Sequence, residues 1–533
     1  MSEKITEELE DEESKQEAVL LTAAQARPSS VGDKYFRTDH LRKNLGGRAA
    51  RGGVLAIGNQ ALQFAITIGA TSIMARLLTP YDYGLIGMVA FVTAFLSTYK
   101  DLGLSAATIQ RAEITFDQIS TLFWINLALS VLISSITIAL APIVAWFYGE
   151  PKLTAITAIT GLGFLISGLT VQHDALLQRQ MRYAALSAIS LISLITGYVV
   201  GIYMASKGFS YWALVGSQLA VASTSTLLTL LACRWVPGLP KRNTGARSMV
   251  HFGANLTGFA TINFFSRNLD NLLIGRVWGA QQLGIYSRAY QLMMLPISQI
   301  NAPLASVAVP SLSRLMGNDG DYRRAYLRMV EKMAIITMPG VALLIITADW
   351  VVAIVLGPKW SEVAPLLVIL GFAGLNQAIS NTTGLLFVTQ GRTNEMFKLS
   401  MIGGPITMAS IIAGLPWGAK GVAISYVTVH LIMTNVTYWF VGRKGPVKTI
   451  DFYRIIGTFG LASGCGILSS LAFRHWEQPS SPIVGIICCT LITAVTVLFV
   501  LALLPSGRHA LRDVFRSTAL LWKTNSEATP QVS

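Results

Sequence analysis

The sequence predicts an all-α polytopic membrane protein with about fourteen transmembrane helices, arranged as two pseudo-symmetric six-helix lobes plus a C-terminal helix pair. Hydrophobic residues make up 52% of the 533 residues and charged residues only 13%, which is too few charges to cover a soluble globule. Apolar runs long enough to cross about 30 Å of hydrocarbon as helices recur along the chain. A block of residues in the first half also returns in the second half.

The predicted spans are apolar runs separated by polar, glycine-containing or proline-containing turns. They cover residues 52–78, 83–99, 119–147, 153–177, 183–205, 211–233, 249–276, 284–312, 329–356, 363–389, 397–416, 420–441, 452–473 and 482–504. The loops assigned to the outer side are only a few residues long, as in 149–152. They cannot form an external domain.

Domain boundaries follow from the spans and from shifts in composition. In order, the domains are a cytoplasmic tail that is disordered and then basic (1–51), an N-lobe of spans 1 to 6 (52–235), a cytoplasmic interlobe linker (236–248), a C-lobe of spans 7 to 12 (249–441), spans 13 and 14 (442–505), and a basic cytoplasmic tail (506–533). Pro237 and Pro240 support the linker assignment, because proline does not continue a helix.

The distribution of basic residues predicts the orientation. The net charge is +14, and most of the 41 lysines and arginines fall in tails and loops on one side of the predicted spans. This positive-inside bias predicts a multi-pass protein of the cell inner (cytoplasmic) membrane with both termini in the cytoplasm. It argues against a nucleic-acid partner, since no basic stripe lies on a soluble domain.

The repeated block indicates a duplication. It pairs Arg76 with Arg276, Gly84 with Gly284 and Leu85 with Ile285. Asp270 has no counterpart, because Ala70 occupies the aligned position. A transporter built from two related bundles typically binds its substrate between them, near the bilayer midplane.

Three strings in the N-lobe carry a resemblance to a known family. They are Leu78-Thr79-Pro80-Tyr81-Asp82-Tyr83-Gly84-Leu85-Ile86-Gly87-Met88, Asp101-Leu102-Gly103-Leu104-Ser105 and Ser120-Thr121-Leu122-Phe123-Trp124-Ile125-Asn126. They resemble the polysaccharide transporter branch, with Wzx-type flippases, of the multidrug/oligosaccharidyl-lipid/polysaccharide (MOP) superfamily. The resemblance extends over residues 45–505 and includes the C-lobe string 270–290. It implies a flippase that moves an undecaprenyl-diphosphate-linked oligosaccharide from the inner to the outer leaflet by alternating access, for exopolysaccharide or O-antigen type synthesis. It supplies no catalytic motif.

Arg267 is the main candidate for binding an anionic headgroup. It lies about nine residues, or roughly 14 Å, from the outer end of its span, which is too deep for easy snorkelling. A cation at that depth is expected in a water-filled cavity. The alternative is a structural contact with Asp270 or Asn271 on the same helical face. Asp270 is the candidate for coupling transport to a proton or sodium ion, and Asn271 is a further cavity candidate.

Asn59 and Gln63 lie one helical turn apart and could bind sugar hydroxyls, although packing between helices explains them equally well. Arg76, Arg276 and Arg288 are interpreted as anchors near the outer headgroups.

Pro296, Pro303 and Pro310 recur along one side of the eighth span and predict a bend. This helix is either a hinge between the lobes or permanently curved.

The sequence predicts no cofactor and no metal site, since the six histidines are scattered. The expected partners are the lipid-linked substrate, membrane lipids and the polysaccharide polymerase and export machinery. Two other functions remain open: a cation-coupled drug or metabolite antiporter of the same superfamily, and a membrane polysaccharide polymerase or glycosyltransferase. The short outer loops argue against an enzyme.

Overall fold

The computed structural model describes residues 45–101, 103–110, 114–241, 246–477, 479 and 481–513. Over these residues the regular secondary structure is helical, and the predicted all-α class is confirmed. Nine helices in this part of the chain are long and apolar enough to cross a membrane, or ten if one bent pair forms a single span. The segment 393–442 counts once among them, although a turn divides it.

The N-lobe contains eight helices. They are α1 (Leu45–Leu77), α2 (Pro80–Ser97), α3 (Leu104–Gln110), α4 (Phe116–Tyr148), α5 (Lys152–Gly168), α6 (Val171–Arg179), α7 (Tyr183–Ser206) and α8 (Trp212–Ala232). The bent pair is α5 and α6, which meet at 43° where one continuous span was predicted. The short helix α3 lies in a connection predicted to be a loop.

The C-lobe and the C-terminal pair contain the other eight helices. They are α9 (Ala246–Arg314), α10 (Asp319–Ile346), α11 (Ala348–Val355), α12 (Val363–Thr389), α13 (Thr393–Gly414), α14 (Gly418–Gly442), α15 (Thr449–Trp476) and α16 (Pro482–Leu503). Short 3-10 turns lie at Pro358–Trp360 and Leu415–Trp417. The predicted ninth span is divided at Thr347 into α10 and α11.

The same turn is built differently in the two repeats. In the N-lobe, Thr79 and Asp82 form a capping box at the start of α2, with Pro80 in the first turn, so the orphan amides of the new helix are satisfied. In the C-lobe, α9 breaks at Gly279, whose φ of 78° and ψ of 179° lie outside the helical region. Such a φ is readily adopted by glycine. Each turn separates two spans predicted from hydropathy.

The lobes meet where α2 crosses the arm of α9 that follows Gly279. A Cβ added to Gly84 would overlap the backbone carbonyl of Ala280, and one added to Gly284 would overlap the carbonyl of Pro80. The repeated glycines therefore make reciprocal contacts, each with the residue that starts the other helix. Small residues let membrane helices approach to backbone contact in this way.

Further contacts between the lobes surround this crossing. The Trp360 indole donates a 2.9 Å hydrogen bond to the carbonyl of Ala75, and its ring packs edge-on against Tyr83 at 5.3 Å. Arg76 donates a 2.9 Å hydrogen bond to the carbonyl of Ile354. The lobes are thus joined at the end of the bundle that the charge bias predicts to be outer.

The beginning of the interlobe linker is bound to the N-lobe. The amide of Gly238 donates to the Ser120 hydroxyl at 3.0 Å, and the carbonyl of Gly238 accepts from the Trp124 indole at 2.8 Å. Lys241 forms a 2.9 Å ion pair with Asp117. Two members of the string 120–126 therefore hold the linker against α4.

Candidate functional site

The C-lobe encloses a cavity of about 450 Å³ between α9, α12, α13 and α14. Its lining includes the polar side chains of Asp270, Gln377, Asn381 and His430, together with the ring of Tyr426. The described lining residues include no lysine or arginine. Its volume is in the range of small-molecule pockets, which combine apolar walls with a few polar groups. Such a cavity suits a cation or a neutral polar group better than an anion.

Asp270 lies on α9 with only 6% of its surface exposed. Its carboxylate accepts a 2.8 Å hydrogen bond from the Tyr286 hydroxyl and another of 2.8 Å from the backbone amide of Asn271. Tyr286 lies beyond Gly279, so the break in α9 brings its second arm back against the first. A carboxylate has about four lone-pair sites, and these two donors leave room for a cation or a proton.

Three other polar atoms in this region are buried without a hydrogen-bond partner among the described residues. They are Gln377 Oε1 and His430 Nε2, on residues that line the cavity, and Asn271 Oδ1, on the residue that follows Asp270. Leaving such a group unsatisfied costs about 1–3 kcal/mol, so a bound ion or solute that uses these atoms would be stabilised. Two of the three are oxygen acceptors, which again favours a positively charged or hydrogen-donating ligand.

The N-lobe contains a second pocket, of about 360 Å³, between α2, α5 and α8. Lys100 lines it, and its amine donates a 2.7 Å hydrogen bond to the Ser167 hydroxyl. No acidic side chain belongs to the described lining. The hydropathy pattern placed Lys100 at the end of a span and gave no signal that it lines a pocket.

Asn59 and Gln63 share one helical face, as their spacing indicates. Their side-chain amides donate to the same hydroxyl, that of Ser190 on α7, at 3.4 and 2.8 Å. This contact is the interhelical alternative considered for the pair. The two amides belong to the N-lobe, and the structure does not bring them to Asp270 and Asn271.

Gln60 makes a contact that the sequence could not indicate. Its amide donates a 2.9 Å hydrogen bond to Gln299 on α9, which joins the lobes away from the glycine crossing. The sequence shows only that Gln60 places an amide on a different face of α1 from Asn59 and Gln63. Its partner is determined by the way the two lobes pack.

The side chains of Arg267, Pro303 and Pro310 lie outside the described residues. The backbone of α9 is helical at all three positions, and its non-helical residue is Gly279. The predicted pairing of Arg267 with Asp270 and the predicted hinge at Pro296, Pro303 and Pro310 therefore stay predictions.

Two arginines interpreted as headgroup anchors contact the other lobe: Arg288 is half-buried, whereas Arg76 is exposed. Arg288 lies over the Tyr83 ring, 3.9 Å from its centroid, and donates a 2.8 Å hydrogen bond to Gln291. Arg76 bonds to a C-lobe carbonyl, as described above. The anchor interpretation considered only the distance to the membrane surface, whereas the other lobe provides nearer aromatic and carbonyl partners. Arg276 is exposed, with its guanidinium 5.6 Å from the Phe147 ring.

Comparison with solved structures shows which fold the chain has. The fold resembles the lipid II flippase MurJ in its inward closed conformation, with a TM-score of 0.68 and 12% identity over 85% of this chain and 98% of that one. It also resembles the inward-facing conformation of a multidrug resistance MATE transporter of the MOP superfamily, with a TM-score of 0.57 and 13% identity over 76% of this chain and 99% of that one. The chain has the fold of this superfamily of membrane transporters.

Sequence comparison gives the family. The model of the polysaccharide biosynthesis protein family matches residues 73–365. The teichuronic acid biosynthesis protein TuaB of Bacillus subtilis (strain 168) is 30% identical over 429 residues, which are 79% of this chain and 87% of that protein. The lipopolysaccharide biosynthesis protein WzxC of Escherichia coli (strain K12) is 25% identical over 375 residues, 69% of this chain and 75% of that protein. The chain belongs to the polysaccharide biosynthesis protein family, and the predicted relationship to Wzx-type transporters is confirmed.

Proposed function

We propose that the chain is a flippase that moves an undecaprenyl-diphosphate-linked oligosaccharide from the inner to the outer leaflet of the bacterial cytoplasmic membrane. The observation that carries the proposal is the reciprocal crossing of α2 and α9, which brings two lobes into backbone contact near the predicted outer end of their spans, in a chain of this family. Alternating access requires lobes that part at one end while they stay joined at the other. The crossing supplies such a joint at the predicted outer end.

The proposed topology has fourteen spans, the domain boundaries given above and both termini in the cytoplasm. With outer loops of a few residues, the protein would act as a transporter without catalysis of its own. Its partners would be the polymerase and export proteins that receive the substrate on the outer leaflet. The glycines at the crossing support the two-lobed division, since the repeats contact each other there.

Within this function, Asp270 is proposed to bind the coupling cation or proton, because its buried carboxylate opens on the C-lobe cavity. Arg267 and Asn271 are proposed to contact the substrate. Asn59 and Gln63 would position α1 against α7 through Ser190, beside any contact with sugar. The three prolines of α9 remain the proposed hinge, on the strength of their spacing.

The function is tested by deleting the gene in a strain without a second flippase and measuring polyprenyl-diphosphate oligosaccharide on each leaflet. We expect accumulation on the inner leaflet and loss of surface polysaccharide. Normal appearance of the oligosaccharide on the outer leaflet would exclude the proposal. Re-expression of the wild-type chain is the control.

The role of Arg267 is tested in the same strain. Arg267→Ala is expected to abolish export while the protein still inserts, and Arg267→Lys is expected to restore part of it, because the lysine keeps the charge but loses the planar fork. Full export by the alanine variant would remove Arg267 from the mechanism.

A cation-coupled antiporter is the second candidate. The C-lobe cavity favours it, since that cavity contains a buried carboxylate and its described lining holds no basic side chain. It predicts that the deletion strain becomes sensitive to cationic drugs while its polysaccharide is unchanged. The deletion experiment therefore separates the two functions.

A further inference from the structure

The N-lobe pocket between α2, α5 and α8 has the composition of a small-molecule site. Its apolar walls include Ala90, Ala94 and Leu219, and its polar groups include Lys100 and Gln218. The volume of about 360 Å³ is at the lower end of the range for such sites. A ligand the size of one or two sugar rings would fill it.

Lys100 is a half-buried ammonium whose hydrogen-bonding capacity is largely unused. Within the part of the chain that the structure describes, its amine makes one hydrogen bond, of 2.7 Å, to the neutral Ser167 hydroxyl, whereas an ammonium has three donors. Burial lowers the pKa of its amine, an effect that the nearby charges of Asp174 and Asp101 oppose. A charge in such a place is stabilised when an anion joins it.

The two nearby acids form no ion pair with Lys100 and are engaged elsewhere. Asp101 accepts hydrogen bonds from the backbone amide and the hydroxyl of Ser105, at 3.0 and 2.9 Å, and so caps α3. Asp174 accepts a 3.1 Å hydrogen bond from Thr229 on α8. The N–H groups of Lys100 that Ser167 does not use are therefore free to bind a ligand in the pocket.

The hydroxyl groups around the pocket are prepared to accept hydrogen bonds. Thr93, Ser97 and Thr160 each donate their proton to a carbonyl of their own helix, at 3.1, 2.7 and 2.7 Å. Their remaining lone pairs can only accept. A matching ligand would present hydroxyl donors to these oxygens and an anionic group to Lys100.

We infer that this pocket binds an anionic sugar group, a hydroxylated ring carrying a phosphate or a carboxylate. The anion pairs with the amine of Lys100, and the ring hydroxyls donate to the hydroxyl oxygens of α2 and α5. The assignment rests on the proposed function in one respect, since it makes the ligand part of the lipid-linked oligosaccharide. The pocket would then be a site in the N-lobe for the charged part of the substrate.

The inference is tested by isothermal titration of the purified full-length protein in detergent with glucose 1-phosphate, glucuronate, glucose and inorganic phosphate. We expect both anionic sugars to bind more tightly than glucose or phosphate alone. Lys100→Met should weaken glucose 1-phosphate binding about tenfold or more, as expected for loss of a charged hydrogen bond. Lys100→Arg should retain part of the affinity.

Two matched variants control for charge and for space. Lys241→Met removes an exposed lysine of the linker, which is paired with Asp117 on α4. This variant should bind both anionic sugars like the wild type. Ala94→Leu adds no charge but fills the pocket, and it should weaken binding of both anionic sugars while the protein keeps its elution volume and helical circular dichroism. Wild-type affinity in Lys100→Met or in a folded Ala94→Leu protein would overturn the inference.

Other ligand sources are distinguished in the same titration. Phosphate binding as tight as that of glucose 1-phosphate would mean a simple anion site. Full competition by phosphatidylglycerol micelles would mean a lipid headgroup site, and either result would overturn the sugar assignment. The titration measures sugar binding without transport, so a failure to bind sugar would overturn the sugar site but not the proposed flippase function. A deletion strain with normal polysaccharide would overturn the flippase function but not the binding that the titration measures.

Discussion

The two lobes share a backbone framework but hold opposite charges in their interiors. The N-lobe pocket is lined by Lys100 and the C-lobe cavity by Asp270, and the described lining of each lacks a charge of the opposite sign. Ionisable groups inside membrane proteins are costly and typically functional. We infer that the N-lobe pocket suits an anion and the C-lobe cavity suits a cation.

The two lobes share one turn, which lies before α7 in the N-lobe and before α13 in the C-lobe. Before α7 and α13, Met181 and Gly391 adopt positive φ angles of 52° and 67°. The next residues, Arg182 and Arg392, each donate a hydrogen bond to a carbonyl at the end of the last helix of their lobe, at 2.9 and 3.1 Å. This turn is thus alike in both lobes, unlike the turns at Thr79 and Gly279, and the residues that line the two cavities differ in charge.

The largest expected effect concerns the crossing that both repeats share. Gly84→Val or Gly284→Val should abolish export, because each side chain would overlap a backbone carbonyl that cannot move aside. Overpacking of this kind costs about 1–3 kcal/mol or more, so the melting temperature of the purified protein should also fall.

The matched control is Gly69→Ala in α1, where an added Cβ meets no atom within 4 Å. It should export and melt like the wild type. Normal export by both crossing variants would show that the lobes do not depend on close backbone contact.

A substitution of Asp270 tests whether the C-lobe cavity binds a cation or a proton. Asp270→Asn keeps the shape and an acceptor for Tyr286 but removes the charge, so export should fall by about tenfold or more and lose its dependence on proton or sodium gradients. Asp349→Asn is the control, since that carboxylate is about half exposed and paired with Arg474. Gradient-dependent export by Asp270→Asn would refute the coupling role.

The pH dependence of ligand binding tests the role of Lys100 in the N-lobe pocket. Burial lowers the pKa of its amine, and the amine binds an anion only while it is protonated. Glucose 1-phosphate binding should therefore be full at low pH and disappear as the pH rises through a value below the ordinary lysine range. Asp174 and Asp101 are the charged groups near it, and their negative charges oppose the lowering of the Lys100 pKa.

In Lys100→Arg the loss should move to higher pH, because arginine stays protonated. Titrations of glucose 1-phosphate at a series of pH values measure the shift. Identical pH profiles for the two proteins would exclude Lys100 as the titrating group.

The smallest expected effect concerns the contact of the linker with α4 of the N-lobe. Trp124→Phe removes the indole N–H that donates to the Gly238 carbonyl and should lower the free energy of unfolding by about 0.5–1.5 kcal/mol. Trp146→Phe is the control, because that side chain is 80% exposed. Equal melting temperatures for the two variants would show that the linker contact does not contribute to the free energy of unfolding.

Hydropathy was sufficient to locate the long helices, because a helix in lipid must satisfy its backbone internally and so must be long and apolar, but it did not predict the short α3. All the predicted spans lie on helical segments, and the turn at Gly279 falls between two of them. The breaks at α5 to α6 and at Thr347 were missed. Both fall inside segments predicted as single spans, although polar residues follow each break closely, at Gln172 to Asp174 and at Asp349.

The site was predictable only in part, because side-chain partners depend on how helices pack. Asp270 was found from its isolation in an apolar run, but its bond to Tyr286 depends on the fold of α9 beyond Gly279. Lys100 resembled an ordinary basic residue at the end of a span. Arg288 appeared close to the membrane surface, whereas the other lobe places Tyr83 beneath it.

The docking of Gly238 and Lys241 on α4 shortens the covalent tether between the lobes. If the whole predicted linker were free, its thirteen residues could extend over about 45 Å, at roughly 3.3–3.6 Å per residue. With Lys241 held by Asp117, five steps of chain lead to Ala246, the first residue of α9. Those steps reach at most about 18 Å. The contact on α4 therefore limits how far the start of α9 can move from the N-lobe during a transport cycle.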